Sequence, residues 1–220
     1  RETYYCKGSK EGPMQNIKIA VTGGIGSGKS TVAEFLRSKR LPVFSCDQIY
    51  HKLIKQKDYL AAIEARFPNT TKDGKLLKEK LSQIVFTDKD ALEALNSITH
   101  PLIIKELEKE MEEVQAPFVF AEVPLLFEGK FDSRFDRILV VLREKHSRIH
   151  AIMKRDRLKE TCIIARMNNQ FDYDRNKEAL TKNRKVFLIN NNDSQEALEK
   201  EVSNFLKSIG FDCETNSVKQ

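Results

Sequence analysis

The chain has 220 residues, of which 40% are hydrophobic and 32% charged, and 38 Lys and Arg against 32 Asp and Glu give a formal net charge of +6. This composition favours a helix-rich chain of one domain, or of one domain with a sizeable insertion, and excludes collagen-like and low-complexity classes. The longest purely apolar runs, such as Ile138–Leu142, have about five residues. A membrane-spanning helix needs roughly twenty, so we expect no contact with a membrane.

Neither the charge nor the cysteines indicate a specialised partner. Basic and acidic residues alternate in segments such as 105–110, which is typical of a solvated helix face. The chain has no Trp and only 8% aromatic residues, so we expect no nucleic-acid partner; a modest positive charge suits a small polyanion. The cysteines lack a CxxC pair and are expected to be reduced, in a cytoplasmic protein; they are Cys6, Cys46, Cys162 and Cys213.

In chain order, a polar segment without periodicity comes first, over residues 1–13. We interpret it as a tag or disordered extension, with Met14 as the expected native start. Five short apolar runs with the character of buried strands follow, and helical patterns separate them. The strands are predicted at 17–22, 41–45, 118–121, 138–142 and 186–190, and the flanking helices at 29–39, 145–183 (two or three helices) and 196–209, with a tail over 211–220. Strands that alternate with helices predict a three-layer α/β sandwich around a parallel five-stranded sheet.

A long stretch between the second and third strands, residues 47–115, shows helical periodicity in pieces and no convincing strand. One crossover connection needs far fewer residues than this stretch contains. We therefore predict a helical insertion over 47–115 beside a core formed by 14–46 and 116–210.

The segment Gly23–Ser30 fits the pattern G-x-x-x-x-G-K-[ST] without a mismatch and lies between a predicted strand and a predicted helix. Glycines let the backbone curl so that its amides point at phosphate oxygens, and the helix N-terminus adds positive potential. Lys29 is placed to reach the β- and γ-phosphates, and the Ser30 hydroxyl to bind Mg²⁺. The motif predicts a nucleotide phosphate site. The alternative is a glycine turn that happens to contain a lysine.

The loop alone leaves the reaction open. The sequence has neither the Asp-x-x-Gly nor the Asn-Lys-x-Asp motif of a GTPase, and it is short for a motor or ring ATPase. A small-molecule kinase is the favoured class. A nucleoside or nucleotide monophosphate kinase and a nucleotide-regulated nucleic-acid-binding protein are the alternatives.

Asp47 directly follows the second predicted strand. Because the carboxyl ends of parallel strands share one edge of a sheet, a carboxylate there is a candidate general base toward a hydroxyl acceptor, or a ligand of Mg²⁺. An ordinary N-cap of the next helix is an equally simple interpretation.

From Met14 to about Gly210 the chain resembles the dephospho-CoA kinase family. The resemblance is carried by the segments 22–31, 47–51, 98–103, 123–128, 155–156, 166–170 and 189–191. It implies transfer of the ATP γ-phosphoryl group to the ribose 3′-hydroxyl of dephospho-CoA with Mg²⁺, a P-loop kinase fold, an acceptor-binding insertion and a lid at about 144–183. The oligomeric state is left open.

The resemblance assigns roles position by position. Asp47 matches the proposed general base, and Asn191 the residue that closes the adenine pocket. With the residue-based candidates, the catalytic set is Asp47, Lys29, Arg155 and Arg166, and the metal set Ser30 and Asp47. The ATP-binding set is Gly24, Ile25, Gly26, Ser27, Gly28, Lys29, Ser30, Thr31 and Asn191, and the acceptor set His51, Lys78, His100, Glu122, Pro124 and Leu125.

Several of these positions have plainer interpretations. His51 is compatible with a surface residue, Glu122 and Glu128 with solvent-facing carboxylates, and His100 with a helix end before Pro101. The chain also departs from the family pattern. Cys46 and Lys78 stand where Ala and Arg are usual, Ser45 replaces a first Asp, Arg184-Lys185 replaces Ala-Asp, and Arg148 and Ala151 replace the Gln and Arg of the lid helix.

Overall fold

The computed structural model describes residues 16–212 and 217–218. The predicted extension 1–13 and the expected start at Met14 lie outside these residues. The chain divides into two units, one formed by the residues up to Phe44 and from Met111 onward, and the other by Ser45–Glu110. None of the helices in the described ranges is long and apolar enough to cross a bilayer.

The elements follow one another as strands separated by helices. In chain order they are β1 (Ile17–Thr22), α1 (Lys29–Ser38), β2 (Val43–Ser45), α2 (Cys46–Leu53), α3 (Lys57–Arg66), β3 (Thr71–Lys72), β4 (Lys75–Leu76), α4 (Lys78–Thr87), α5 (Lys89–Glu112), β5 (Phe118–Glu122), β6 (Arg137–Leu142), α6 (Lys145–Asp156), α7 (Glu160–Asn168), α8 (Lys177–Lys182), β7 (Val186–Asn190), α9 (Gln195–Ser208), β8 (Phe211–Asp212) and β9 (Ser217–Val218). A short 3₁₀ helix, Asp132–Arg134, precedes β6.

The five longer strands form one sheet in the order β2-β5-β1-β6-β7. β1 pairs in parallel with β5 and β6, and β6 pairs in parallel with β7. The predicted five-stranded α/β fold is confirmed. It forms because the central strands β1, β5 and β6 are mostly apolar and buried on both faces, as is typical of parallel strands.

The register aligns the ends of four strands near one edge of the sheet. Val21 lies opposite Glu122, Thr22 opposite Val140, and Leu142 opposite Asn190. Since these strands run in the same direction, the segments that follow β1, β5, β6 and β7 all begin at this carboxyl edge.

One face of the sheet is covered by α1 and α9. α9 buries Leu198, Val202, Phe205 and Leu206 against the sheet. The apolar cluster on this face also contains Ile19, Val21, Val32, Leu36, Leu41, Phe118, Phe120, Leu139, Val141, Ile189 and Phe211. Phe211 belongs to the predicted tail, but it is 4% exposed and lies in β8, which pairs with β9. Ordered structure therefore continues past residue 210, because this side chain completes the core.

The unit Ser45–Glu110 contains α2, α3, α4 and most of α5 around its own apolar cluster. Leu53, Tyr59, Ile63, Phe67, Leu81 and Ala91 are its buried members. The unit also contains a hairpin, β3–β4, which the expectation of no strand over 47–115 missed. Its turn residues Asp73 and Gly74 have φ of 51° and 70°, the backbone that two-residue hairpins favour.

α5 has 24 residues and contains Pro101 in its interior. The interpretation of His100-Pro101 as a helix end is therefore wrong. A proline inside a helix removes one backbone donor. Ile104 and Leu107, which follow it, are 4% and 0% exposed, and we attribute the continuation of the helix to their burial.

Candidate active site

The loop Gly23–Ser30 leaves the central strand β1 and leads directly into α1. The Ser27 N–H donates to Gly24 O at 3.1 Å, and Gly28, the N-cap of α1, has φ of 101°. No side-chain hydrogen bond caps α1 and no acidic residue lies in its first turn. The curled backbone and the helix N-terminus therefore offer several amides and positive potential to an anion.

Lys29 holds its ammonium group across this loop. Its Nζ donates to Gly23 O at 2.8 Å and to Gly24 O at 3.0 Å. The charge is thus positioned by the first two residues of the loop, where it adds to the field of the helix terminus.

Ser30 and Glu122 bring two hard oxygen ligands together. The Ser30 hydroxyl donates to Glu122 Oε1 at 2.9 Å, because Glu122 ends β5 beside β1 in the sheet. No group of three or more His, Cys, Asp and Glu side chains suited to a metal occurs among residues 16–212 and 217–218. A hydroxyl and one carboxylate nevertheless suit Mg²⁺, which binds phosphates through few protein oxygens and keeps several waters.

Asn191 follows β7 and contacts the same loop. Its Nδ2 donates to Ser27 O at 2.8 Å, and its backbone N–H donates to Leu142 O at 2.8 Å. The side chain that the sequence assigned to the adenine pocket therefore supports the backbone of the loop directly.

The segment after α7 supplies two contacts that the sequence did not predict. Gln170 Oε1 accepts from the Ile25 N–H at 2.8 Å, and the hydroxyls of Tyr173 and Thr22 lie 3.1 Å apart. Burial raises the pKa of Tyr173, so its hydroxyl stays protonated. The only signal for Gln170 in the sequence is its place in the motif 166–170. No pattern in the sequence indicates a role for Tyr173.

Arg155 and Arg166 lie on α6 and α7, and both are exposed. Arg155 forms two hydrogen bonds to Asp156, at 2.7 and 3.0 Å. The pKa of Asp156 is lowered, first by this hydrogen bond and further by the charges of Arg155 and Arg166. Asp156 therefore binds Arg155 directly and also lies within the electrostatic influence of Arg166.

Pro124 and Leu125 lie in the turn after β5, and both are half-buried. Leu125 O accepts from the Gly129 N–H at 3.0 Å, and Glu128 Oε1 accepts from the Phe171 N–H at 2.8 Å. The Pro124–Glu128 motif thus forms a closed turn attached to the segment that carries Gln170.

The remaining predicted residues lie in the unit Ser45–Glu110. Asp47 is exposed in the first turn of α2, whose N-cap is Ser45, so the interpretation of Asp47 as an N-cap is wrong. His51 lies exposed in the last turn of α2, and Lys78 is the exposed first residue of α4. His100 is half-buried in α5, where burial lowers its pKa.

Comparisons with known proteins agree with this architecture. A family model described as dephospho-CoA kinase matches residues 17–196. A dephospho-CoA kinase from Lactobacillus johnsonii is 32% identical over 198 residues, which cover 87% of this chain and 98% of that protein. A crystal structure from Thermus thermophilus has a TM-score of 0.75 at 31% identity and covers 88% of this chain and 98% of its own. A dephospho-CoA kinase structure from Campylobacter jejuni has a TM-score of 0.58 at 26% identity, with coverage of 88% and 97%. The chain therefore belongs to the dephospho-CoA kinase family.

Proposed function

We propose that this protein transfers the γ-phosphoryl group of ATP to the ribose 3′-hydroxyl of dephospho-CoA, which yields coenzyme A and ADP in the last step of coenzyme A synthesis. The observation that carries the proposal is the match to the family over residues 17–196, which include both the phosphate loop and the helical unit. An unrelated phosphate-binding protein would match at the loop alone.

The ATP phosphates lie in the loop Gly23–Ser30. Amides of the loop and of the first turn of α1 donate to the phosphate oxygens, and the ammonium of Lys29 moves from its carbonyl partners toward the β- and γ-phosphates. Support comes from the position of Lys29 Nζ, which lies 2.8 and 3.0 Å from Gly23 O and Gly24 O. The adenine lies toward Asn191, whose amide contacts the end of the same loop.

Mg²⁺ binds at Ser30 and Glu122, with Asp47 as the further candidate ligand. The ion supplies charge neutralisation at the β- and γ-phosphate oxygens. The hydrogen bond between Ser30 and Glu122 already holds both oxygens in place. The two side chains therefore lose little conformational freedom when the ion binds. Glu122, assigned from sequence to the acceptor, therefore acts on the nucleotide side.

Asp47 acts as the general base that takes the proton of the ribose hydroxyl. It is exposed and lies in the first turn of α2, so its carboxylate is accessible to a hydroxyl acceptor. His51, Lys78, His100, Pro124 and Leu125 are the candidate contacts to dephospho-CoA. Arg155 and Arg166 stabilise charge on the transferring phosphoryl group as lid residues.

The protein acts in the cytoplasm. Support comes from the cysteines of the sequence, which are scattered and form no CxxC pair, as is typical of proteins of a reducing compartment.

Two substitutions and a matched control test the assigned roles. Lys29→Ala and Asp47→Asn each lower turnover with dephospho-CoA by about a hundredfold or more. Asp58, an exposed carboxylate in the first turn of α3, is the matched control, and Asp58→Asn leaves turnover unchanged. Near-normal turnover of Asp47→Asn in an ADP-release assay removes the general-base role.

A further inference from the structure

Gly24 leaves room for a side chain that the phosphate-loop motif does not include. The pattern G-x-x-x-x-G-K-[ST] leaves its second position free, and Gly24 is absent from the glycines with positive φ, which include Gly23, Gly26 and Gly28. A Cβ at Gly24 would lie 2.3 Å from Arg148 Nη1 and 3.4 Å from Arg148 Cζ. The Arg148 guanidinium therefore occupies the space of a Cβ at position 24, and it would have to move if position 24 carried a side chain.

Arg148 is a buried cation with incomplete compensation. Its side chain is 13% exposed, and its Nε is buried without a hydrogen-bond partner in the part of the chain that the structure describes. Its ion pair with Asp174 is 3.5 Å long, and Asp174 is 68% exposed. Burial of a guanidinium group is costly unless its donors are satisfied. A long pair with a solvated carboxylate satisfies them only in part.

The backbone of α6 places Arg148 beside the loop. A Cβ at Gly26 would lie 2.9 Å from Arg148 O and 3.0 Å from two side-chain carbons of Ile152. Ile152 is 1% exposed. The backbone of α6 thus lies against the loop at Gly26, and the Arg148 side chain extends from it to Gly24.

Two cations converge on one residue of the loop. Lys29 Nζ contacts Gly24 O at 3.0 Å, and Arg148 Nη1 lies against Gly24. Lys29 in this motif reaches the β- and γ-phosphates of a bound nucleotide. A guanidinium group at the same residue, whose Nε lacks a hydrogen-bond partner among the described residues, suits the same oxygens in a bidentate contact.

We propose that Arg148 is a phosphate-contacting residue of the ATP site, and that Gly24 leaves the space against the loop that this side chain occupies. On binding, the guanidinium exchanges its long contact with Asp174 for oxygens of the β- and γ-phosphates. The inference depends on the proposed function only in taking ATP as the ligand; it involves no residue of the acceptor site.

The test is a double-mutant cycle on nucleotide binding, with Mg·ATP and no acceptor present. By isothermal titration calorimetry, Arg148→Ala weakens ATP binding about 10- to 100-fold, the range for hydrogen bonds to charged groups. Gly24→Ala displaces the guanidinium and weakens binding about tenfold in the wild-type chain. In the Arg148→Ala background it causes no further loss, because nothing remains to be displaced. Lys154→Ala on the exposed face of α6 changes affinity less than about twofold.

The outcomes separate the proposal from a purely structural role. Wild-type affinity for Mg·ATP in Arg148→Ala overturns the proposal. Binding losses of the two single variants that add up in the double variant also overturn it, because Gly24→Ala would then act on the loop itself. Arg148→Lys keeps the charge and most of the stem. If the alanine variant does not fold, the affinity of Arg148→Lys for Mg·ATP is measured instead. We expect a loss of about 3- to 10-fold, and unchanged affinity refutes the role. The binding experiment contains no acceptor, so its result does not depend on which acceptor the protein uses. A failure to phosphorylate dephospho-CoA would contradict the proposed function but not this proposal.

Discussion

Gly28 is the position where the structure gives the sharpest stability prediction. Its φ of 101° is a conformation that residues with a Cβ rarely adopt, and such strain costs about 1–3 kcal/mol. A Cβ there would also lie 2.2 Å from Asn191 Nδ2. The amide must then move, which breaks its 2.8 Å hydrogen bond to Ser27 O at a cost of about 1 kcal/mol. We expect Gly28→Ala to lower the free energy of unfolding by about 2–4 kcal/mol.

Gly210 provides a matched control for the dihedral part of this cost. Its φ is 91°, and the structure describes no atom within 4 Å of a Cβ placed there. In urea unfolding followed by circular dichroism, Gly28→Ala should therefore exceed Gly210→Ala by about 1 kcal/mol or more. In an Asn191→Ala background the difference should vanish. An equal cost for Gly28→Ala with and without the Asn191 side chain would refute the argument.

Three further predictions concern His100, Glu122 and Gln170. Because burial lowers the pKa of His100, the folded chain binds this proton less readily than the unfolded chain. The free energy of unfolding should then fall as the pH drops below about 6.5, by at most about 1.4 kcal/mol per pH unit; an unchanged slope in His100→Asn, measured by urea unfolding, contradicts this. Glu122→Gln should raise the Mg²⁺ concentration for half-maximal turnover by about tenfold or more, and a wild-type Mg²⁺ titration counts against the site. Gln170→Ala removes the acceptor of the Ile25 N–H and should cost about 1–2 kcal/mol, whereas Gln170→Glu keeps an oxygen and should cost less in thermal unfolding.

The sheet and the phosphate loop were predictable because their signals are local. Each strand is an apolar run of parallel-sheet type, and the glycine and lysine pattern of residues 23–30 fixes the loop between β1 and α1. α9 was predictable from the spacing of its buried residues. The hairpin β3–β4 was missed because strands of two residues carry no alternation, although Asp73-Gly74 is a known turn signal.

The contacts around the loop could not be read from the sequence in the same way. Gln170 reaches Ile25 across 145 residues, and Tyr173 reaches Thr22 across 151. In the sequence, Arg148 is only a departure from the usual family residue. Its contact with Gly24 depends on the tertiary structure. Side-chain contacts of this kind depend on how α6 and the segment after α7 pack on the sheet. That packing is a tertiary property with no local pattern.

The central claim is that this chain phosphorylates dephospho-CoA at the ribose. The most direct measurement is ADP release with ATP, Mg²⁺ and dephospho-CoA, compared with nucleoside monophosphates as acceptors, with the position of the new phosphate read by ³¹P NMR. We expect ADP release that depends on dephospho-CoA, a 3′-phosphate in the product, and little turnover with the monophosphates. Turnover with a nucleoside monophosphate and none with dephospho-CoA would contradict the account.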